Sequence, residues 1–147
     1  MSTCRPERTG WRDEALSGRH REWGFNCPAL DLDFVMLEYN HGKPCALVEY
    51  KHKNAATPDT NHATYRALVA LADERHEPLP CFIAIYDPEG WTFRVIPLND
   101  KARKHYAHCN NVVLTEQRFV RSLHLTRKAV LNTEDEMAIS LLNTCVR

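Results

Sequence analysis

Two apolar stretches, residues 29–39 and 44–52, flank Asn40, His41 and Gly42, and this arrangement constrains the chain more than any other. Both stretches are rich in Val, Leu, Phe and Tyr, the side chains that suit a pleated, half-buried surface. A three-residue connection takes a type I turn followed by a left-handed residue, and Gly42 stands where that residue is needed. The pattern predicts an antiparallel hairpin in which Tyr39 faces Lys43. Counting back from that pair, Asp33 faces Glu49 and Asp31 faces Lys51. Residues two apart share a strand face, and directly opposed residues share it too. The four side chains then converge. A slip of one residue would send Glu49 and Lys51 to the other face and dissolve the cluster.

These residue types suit metal-assisted hydrolysis. Asp33 and Glu49 offer hard oxygen ligands to Mg²⁺ or Mn²⁺ and leave positions for water and phosphate. Such a cation polarises a phosphoryl oxygen and acidifies an attacking water. Lys51 would orient that water or offset charge building on the phosphate. The plainer alternative is a cross-strand ion pair between Asp31 and Lys51 on a solvated surface. Against it, two acids at alternate positions meet an acid and a lysine in otherwise apolar strands. Opposed like charges destabilise a sheet unless something binds them.

The segments Asp31-Leu32-Asp33-Phe34-Val35 and Ala46-Leu47-Val48-Glu49-Tyr50-Lys51-His52 together resemble the PD-(D/E)XK nuclease superfamily. The resemblance covers about the first two thirds of the chain. It implies a small mixed β-sheet flanked by helices, restriction endonuclease-like, within an α/β class. It implies that Asp33, with Asp31 a close competitor, is the acid of one core strand, and that Glu49 and Lys51 are the acid and lysine of the next. It also implies a further acid from the first helix, for which Glu14 and Glu22 are candidates. The motif's proline is not adjacent here, because Pro28 lies three residues before Asp31. The implied activity is metal-dependent cleavage of DNA, as in recombination, repair or the resolution of branched DNA.

The remaining framework is ordinary for one domain. A chain of 147 residues with 44% hydrophobic and 26% charged content is expected to bury a single core. No apolar run is long enough to span a membrane, and the N-terminus carries no secretory pattern. The six cysteines are scattered without a CxxC, so reduced thiols and a cytoplasmic location are expected. A short chain without a separate recognition domain also favours structure-selective cutting or a homodimer.

Net charge is zero, but its distribution is uneven. Residues 101–128 hold seven Lys or Arg against one acid, whereas residues 54–100 hold three against seven. Lys101, Arg103, Lys104, Arg118, Arg121, Arg127 and Lys128 are candidates for phosphate contact, although each alone reads as a solvated helix face. Arg19, Arg21 and Lys53 join them from elsewhere in the chain.

Helices are expected over residues 12–23, 59–75 and 116–131, the last with Thr115 as N-cap. Thr133 and Glu136 form a capping-box pattern ahead of a final short helix. Tyr65, Leu68, Val69 and Ala72 repeat at helical spacing and should face the sheet. Asn61 and Tyr65, four apart, faintly echo a DNA-supporting QxxxY element of some exonucleases in the same superfamily. Residues 81–87 read as a strand buried on both faces, returning over 91–98 as an edge hairpin. Residues 99–114 show no clear pattern. Within them, His105, His108 and Cys109 offer a rival zinc set, without a second ligand pair at standard spacing. Three readings follow: a metal-dependent deoxyribonuclease, a nucleic-acid-binding module that keeps the fold without cutting, and a zinc-stabilised interaction protein.

Overall fold

The structure is a computed structural model. It describes residues 14–24, 32–109 and 111–131. The chain divides into two compact units, Met1–Asp31 and Leu32–Arg147. In the first, helix α1 spans Glu14–Trp23 and runs into Gly24, whose φ of +61° ends it in the left-handed conformation a glycine adopts cheaply.

In the second unit, the described strands form one five-stranded sheet with the order β1-β2-β3-β4-β5. These are β1 (Phe34–Glu38), β2 (Lys43–His52), β3 (Cys81–Asp87), β4 (Thr92–Pro97) and β5 (Leu114–Thr115). β2 and β3 run parallel, and the other neighbours are antiparallel. A parallel pair needs a crossover, supplied here by α2 (Ala63–Asp73). Two further helices, α3 (Asp100–His105) and α4 (Glu116–Ala129), follow β4. This is the mixed sheet flanked by helices that the sequence predicts.

Alternation along the strands sorts the core into two layers. Ala46, Val48, Phe82, Ala84, Phe93 and Val95 face α3 and α4, where they meet Ala102, Tyr106 and Phe119. Phe93 and Phe119 stack with ring centroids 4.2 Å apart. Leu47, Cys81 and Ile83 face the other way and pack on Tyr65, Leu68 and Ala72 of α2. Tyr65 is thus a core residue, as its helical spacing predicts. β3 is buried on both faces over Cys81–Ala84, also as predicted.

The hairpin differs from expectation in one instructive way. Its loop holds four residues, Tyr39 to Gly42, because Glu38 rather than Tyr39 pairs with Lys43. Gly42 does take the left-handed conformation, with φ +63°. The longer loop shifts the pairing by one residue near the turn. A bulge then reverses the shift: Leu37 pairs with Pro44 and Met36 with Ala46, leaving Cys45 without an opposite number. Beyond the bulge, Phe34 faces Val48, which is the predicted register. Pro44 has no N–H to give the ladder, so it suits a place where regular pairing breaks.

Other elements are displaced by small amounts. β1 is shorter than the predicted 29–39, with residues 25–31 outside the description. The expected edge strand, β4, is covered at its start by the two-residue β5, where Thr92 faces Thr115 and Phe93 faces Leu114. The unassigned stretch 99–114 holds α3, capped by Asn99, and a 3₁₀ turn over Ala107–Cys109. Thr115 caps α4, its Oγ1 accepting from the Arg118 N–H at 3.3 Å. The helix expected after Thr133 lies outside the described residues. No described helix is long and apolar enough to cross a membrane. Cys45, Cys81 and Cys109 are free thiols, and burial pushes the Cys81 thiol up to about 12.

Candidate functional site

The restored register sets the geometry at the far end of β2. Glu49 and Lys51 are two apart on β2, so they share the face that carries Leu47 and packs on α2. Their parallel neighbours on β3 are Ile83 and Ile85, which give the site an apolar flank. Lys51 Nζ lies 3.5 Å from Glu49 Oε1. Asp33 sits one residue before β1 and beside Glu49, and its Oδ2 accepts from the Tyr50 N–H at 3.0 Å.

Glu49 is the anomaly of the sheet. Its side chain is only 12% exposed. Its second oxygen, Oε2, is fully enclosed and has no hydrogen-bond partner among the described residues. Burial pushes its carboxyl above the usual range, the nearby Asp33 carboxylate pushes it further, and Lys51 together with the Asp33 backbone N–H only partly opposes both. A carboxylate left this way is destabilising unless a cation or a proton joins it.

The site opens into a cleft of about 420 Å³ between the end of β2, residues 55–59 and the start of α2. Glu49, Lys51, Asp59, His62, Thr64 and Tyr65 are among its lining residues. His62 is the N-cap of α2, its Nδ1 accepting from the Thr64 N–H at 3.3 Å. In the neutral ring the hydrogen is therefore on Nε2. The partial positive charge at the start of α2 also faces this cleft, which suits an anionic substrate.

Asp31 and the Glu14 side chain lie outside the described residues. Arg19 and Arg21 belong to α1 in the first unit, where Arg19 pairs with Glu22 at 3.5 Å. Lys53 is held by Asp87 at 3.0 Å and Glu89 at 3.6 Å, at the end of β3. Arg118 and Arg121 are exposed on α4, the layer opposite α2. Asn61 is exposed, its N–H donating to Asp59 Oδ1 at 3.0 Å.

Among the described residues no group of three or more His, Cys, Asp or Glu side chains is placed to hold a metal ion. The rival zinc set therefore does not form. His105 Nε2 is engaged by the Ser122 carbonyl at 2.9 Å, and Cys109 packs on the core. Asp33 and Glu49 form a two-carboxylate site, to which Asp31 is the nearest addition in sequence.

His62 and Asp59 escaped the sequence reading. The helix is expected from residue 59, so both fall inside it; its actual start at Ala63 makes His62 the cap and Asp59 part of the cleft wall. Compared with protein-family models, with curated proteins and with solved structures, the chain matches none.

Proposed function

We propose that Asp33, Glu49 and Lys51 form the centre of a metal-dependent phosphodiester hydrolase acting on DNA. The observation that carries this reading is the enclosed, unpartnered Oε2 of Glu49, in a carboxylate that stands beside a second carboxylate and a lysine and belongs to the lining of a cleft. Such an oxygen is what a hard divalent cation would satisfy. The order strand, turn, strand, helix, parallel strand supports the restriction endonuclease-like assignment within the mixed sheet.

Each residue then has a task. Asp33 and Glu49 would hold Mg²⁺ or Mn²⁺ through carboxylate oxygens. When bound, the ion supplies Lewis acidity toward a phosphoryl oxygen and acidifies the attacking water. Lys51 sets a positive charge where negative charge accumulates as the water oxygen bonds to phosphorus and the bond to the leaving sugar oxygen breaks. His62, with its hydrogen on Nε2, donates to a non-bridging phosphate oxygen at the mouth of α2. The ring of Tyr65 closes the inner wall of the cleft.

A second reading, a nucleic-acid-binding module that does not cut, is favoured by one observation: no third ligand stands beside the two carboxylates among the described residues. One experiment separates the two. Labelled linear, flapped and branched DNAs are incubated with Mg²⁺, Mn²⁺ or EDTA, using the wild type and Glu49→Ala. Metal-dependent cutting that disappears in the variant is expected. Binding without cutting by the wild type would replace the hydrolase with the module.

A further inference from the structure

At the opposite end of β2 a larger cleft, about 510 Å³, opens between the start of β2, the 75–80 connection, α3 and the end of α4. Its floor is apolar, with Pro44, Leu79 and Val130. Its rim is cationic. Lys43, Arg75, Lys101 and Lys104 line it together with His105, against one carboxylate, Glu77.

The surrounding carboxylates do not cancel the Arg75, Lys101 and Lys104 cations. Glu77 is 80% exposed and lies 3.8 Å from the His76 ring. Asp73, at the end of α2, accepts from Asn99 Nδ2 at 2.9 Å. Asp100 is bound by Arg103 at 2.7 Å. Among the described residues no carboxylate comes within 4.0 Å of the Arg75, Lys101 or Lys104 cations. Cations along one helix are commonly just its solvated face. Here Arg75 and the pair Lys101 and Lys104 come from two segments far apart in sequence and line one concavity, where they repel each other and focus a positive potential.

We propose that this cleft binds backbone phosphates of duplex DNA, as a second anchor for the molecule whose cleavable phosphate lies at Glu49. The assignment rests on the hydrolase reading only for that second clause; the phosphate site stands on its own charges. Lys43 and Glu49 are six residues apart on β2, so the two sites lie ~20 Å apart at about 3.3 Å per residue. That distance matches ~6 base pairs of duplex at about 3.4 Å each. A duplex long enough to span both sites would touch the cleft through Arg75, Lys101 and Lys104 while presenting a phosphate to Asp33 and Glu49. The cleft therefore sets a minimum substrate length and supplies affinity without base readout.

The test is fluorescence anisotropy in EDTA with a fluorescein-labelled duplex of about 16 base pairs, longer than the ~6 base-pair span. It compares the full-length wild type with Arg75→Gln/Lys101→Gln/Lys104→Gln and with Arg118→Gln/Arg121→Gln on α4. All five side chains are exposed, so the melting temperatures should agree. The cleft variant is expected to lose about 10-fold or more in affinity, and its plot of log K against log salt to flatten by about 2–3 in slope. The α4 variant is expected to change far less. Equal losses in the two variants, or none in the cleft variant, would overturn the proposal. Parallel cutting assays with Mn²⁺ separate it from the hydrolase reading. A wild type that cuts, with a cleft variant that binds normally, removes the cleft and keeps the hydrolase. A wild type that does not cut, with a cleft variant that fails to bind, keeps the cleft and removes the hydrolase.

Discussion

Glu38 and Glu49 are glutamates on neighbouring strands, both largely withdrawn from water, and their surroundings treat them oppositely. Glu38 is 1% exposed. It accepts from the Asn40 N–H at 3.1 Å, the His41 N–H at 2.7 Å and His41 Nδ1 at 2.9 Å. Burial pushes its carboxyl up, but those donors outweigh it and hold the group below the usual range. Glu49 has Lys51 at 3.5 Å and the Asp33 backbone N–H as donors, but also a neighbouring carboxylate and an enclosed second oxygen with no donor among the described residues. The first glutamate is finished by its own turn. The second requires a partner that the described residues do not provide. The difference separates a carboxylate that builds the hairpin from one that, on the proposed reading, takes a ligand.

The sharpest way to break this comparison is catalytic. Lys51→Ala should lower metal-dependent cutting by roughly 10²–10³-fold, in line with losing one charge-stabilising group. Single-turnover cleavage at saturating Mn²⁺ would measure it, and a variant that cuts at the wild-type rate would return Lys51 to a simple ion pair. Glu49→Ala should leave no metal-dependent cutting in the same assay.

Next in size is a stability effect at a finished site. Asn99, 2% exposed, is saturated by four hydrogen bonds. Its Oδ1 accepts from the Cys81 and Ala102 N–H groups at 3.0 Å each, and its Nδ2 donates to Asp73 Oδ1 at 2.9 Å and Leu79 O at 2.8 Å. It ties the end of α2, the start of β3 and the cap of α3 into one joint. Asn99→Ala should cost about 3 kcal/mol in urea unfolding, since it strands buried partners. Cutting below the melting temperature should persist.

Glu38→Gln should give a smaller loss, with a defined pH signature. A carboxyl whose folded pKa is depressed contributes stability above its unfolded pKa and loses it as pH falls through the folded value. The deficit of Glu38→Gln against the wild type should therefore be present at neutral pH and shrink on acidification. A deficit independent of pH would show that the contact acts through shape and not charge.

The smallest effect should have the opposite sign. Glu49 has a raised folded pKa, so ionising it costs stability as pH rises from its unfolded pKa through the folded value. Glu49→Gln should thus melt higher than the wild type at neutral pH, and the gain should vanish in acid. Mn²⁺ should raise the melting temperature of the wild type and not of the variant. A variant that melts lower at neutral pH, or responds equally to Mn²⁺, would make Glu49 another Glu38.

The hairpin shows how much of the site was legible in the residues. Gly42 marks the left-handed turn position, and the alternation of Leu47, Glu49 and Lys51 marks a shared face. The loop is one residue longer than the pattern predicts. The difference does not reach the site because the bulge at Cys45 returns the pairing to register before Phe34 meets Val48. A bulge leaves no trace in hydrophobic periodicity; Pro44 was the available signal. The basic segment 101–128 was visible as a charge count, yet residue spacing could not divide it. Lys101 and Lys104 line a cleft with Arg75, Arg103 is bound to Asp100, and Arg118 and Arg121 lie on the layer across from Glu49.

Local chemistry along the chain was therefore enough to specify most strands and helices, their buried faces and the register that sets Asp33 beside Glu49, because periodicity and turn residues act over a few positions. It was not enough to say which buried carboxylate is satisfied, that His62 and Asp59 join the cleft, or that Arg75 and Lys101 line one cleft at the far end of the sheet. Hydrogen-bond satisfaction and electrostatic potential are sums over neighbours in space. Those neighbours are brought together by the α2 crossover and by the packing of α3 and α4, not by adjacency in the chain.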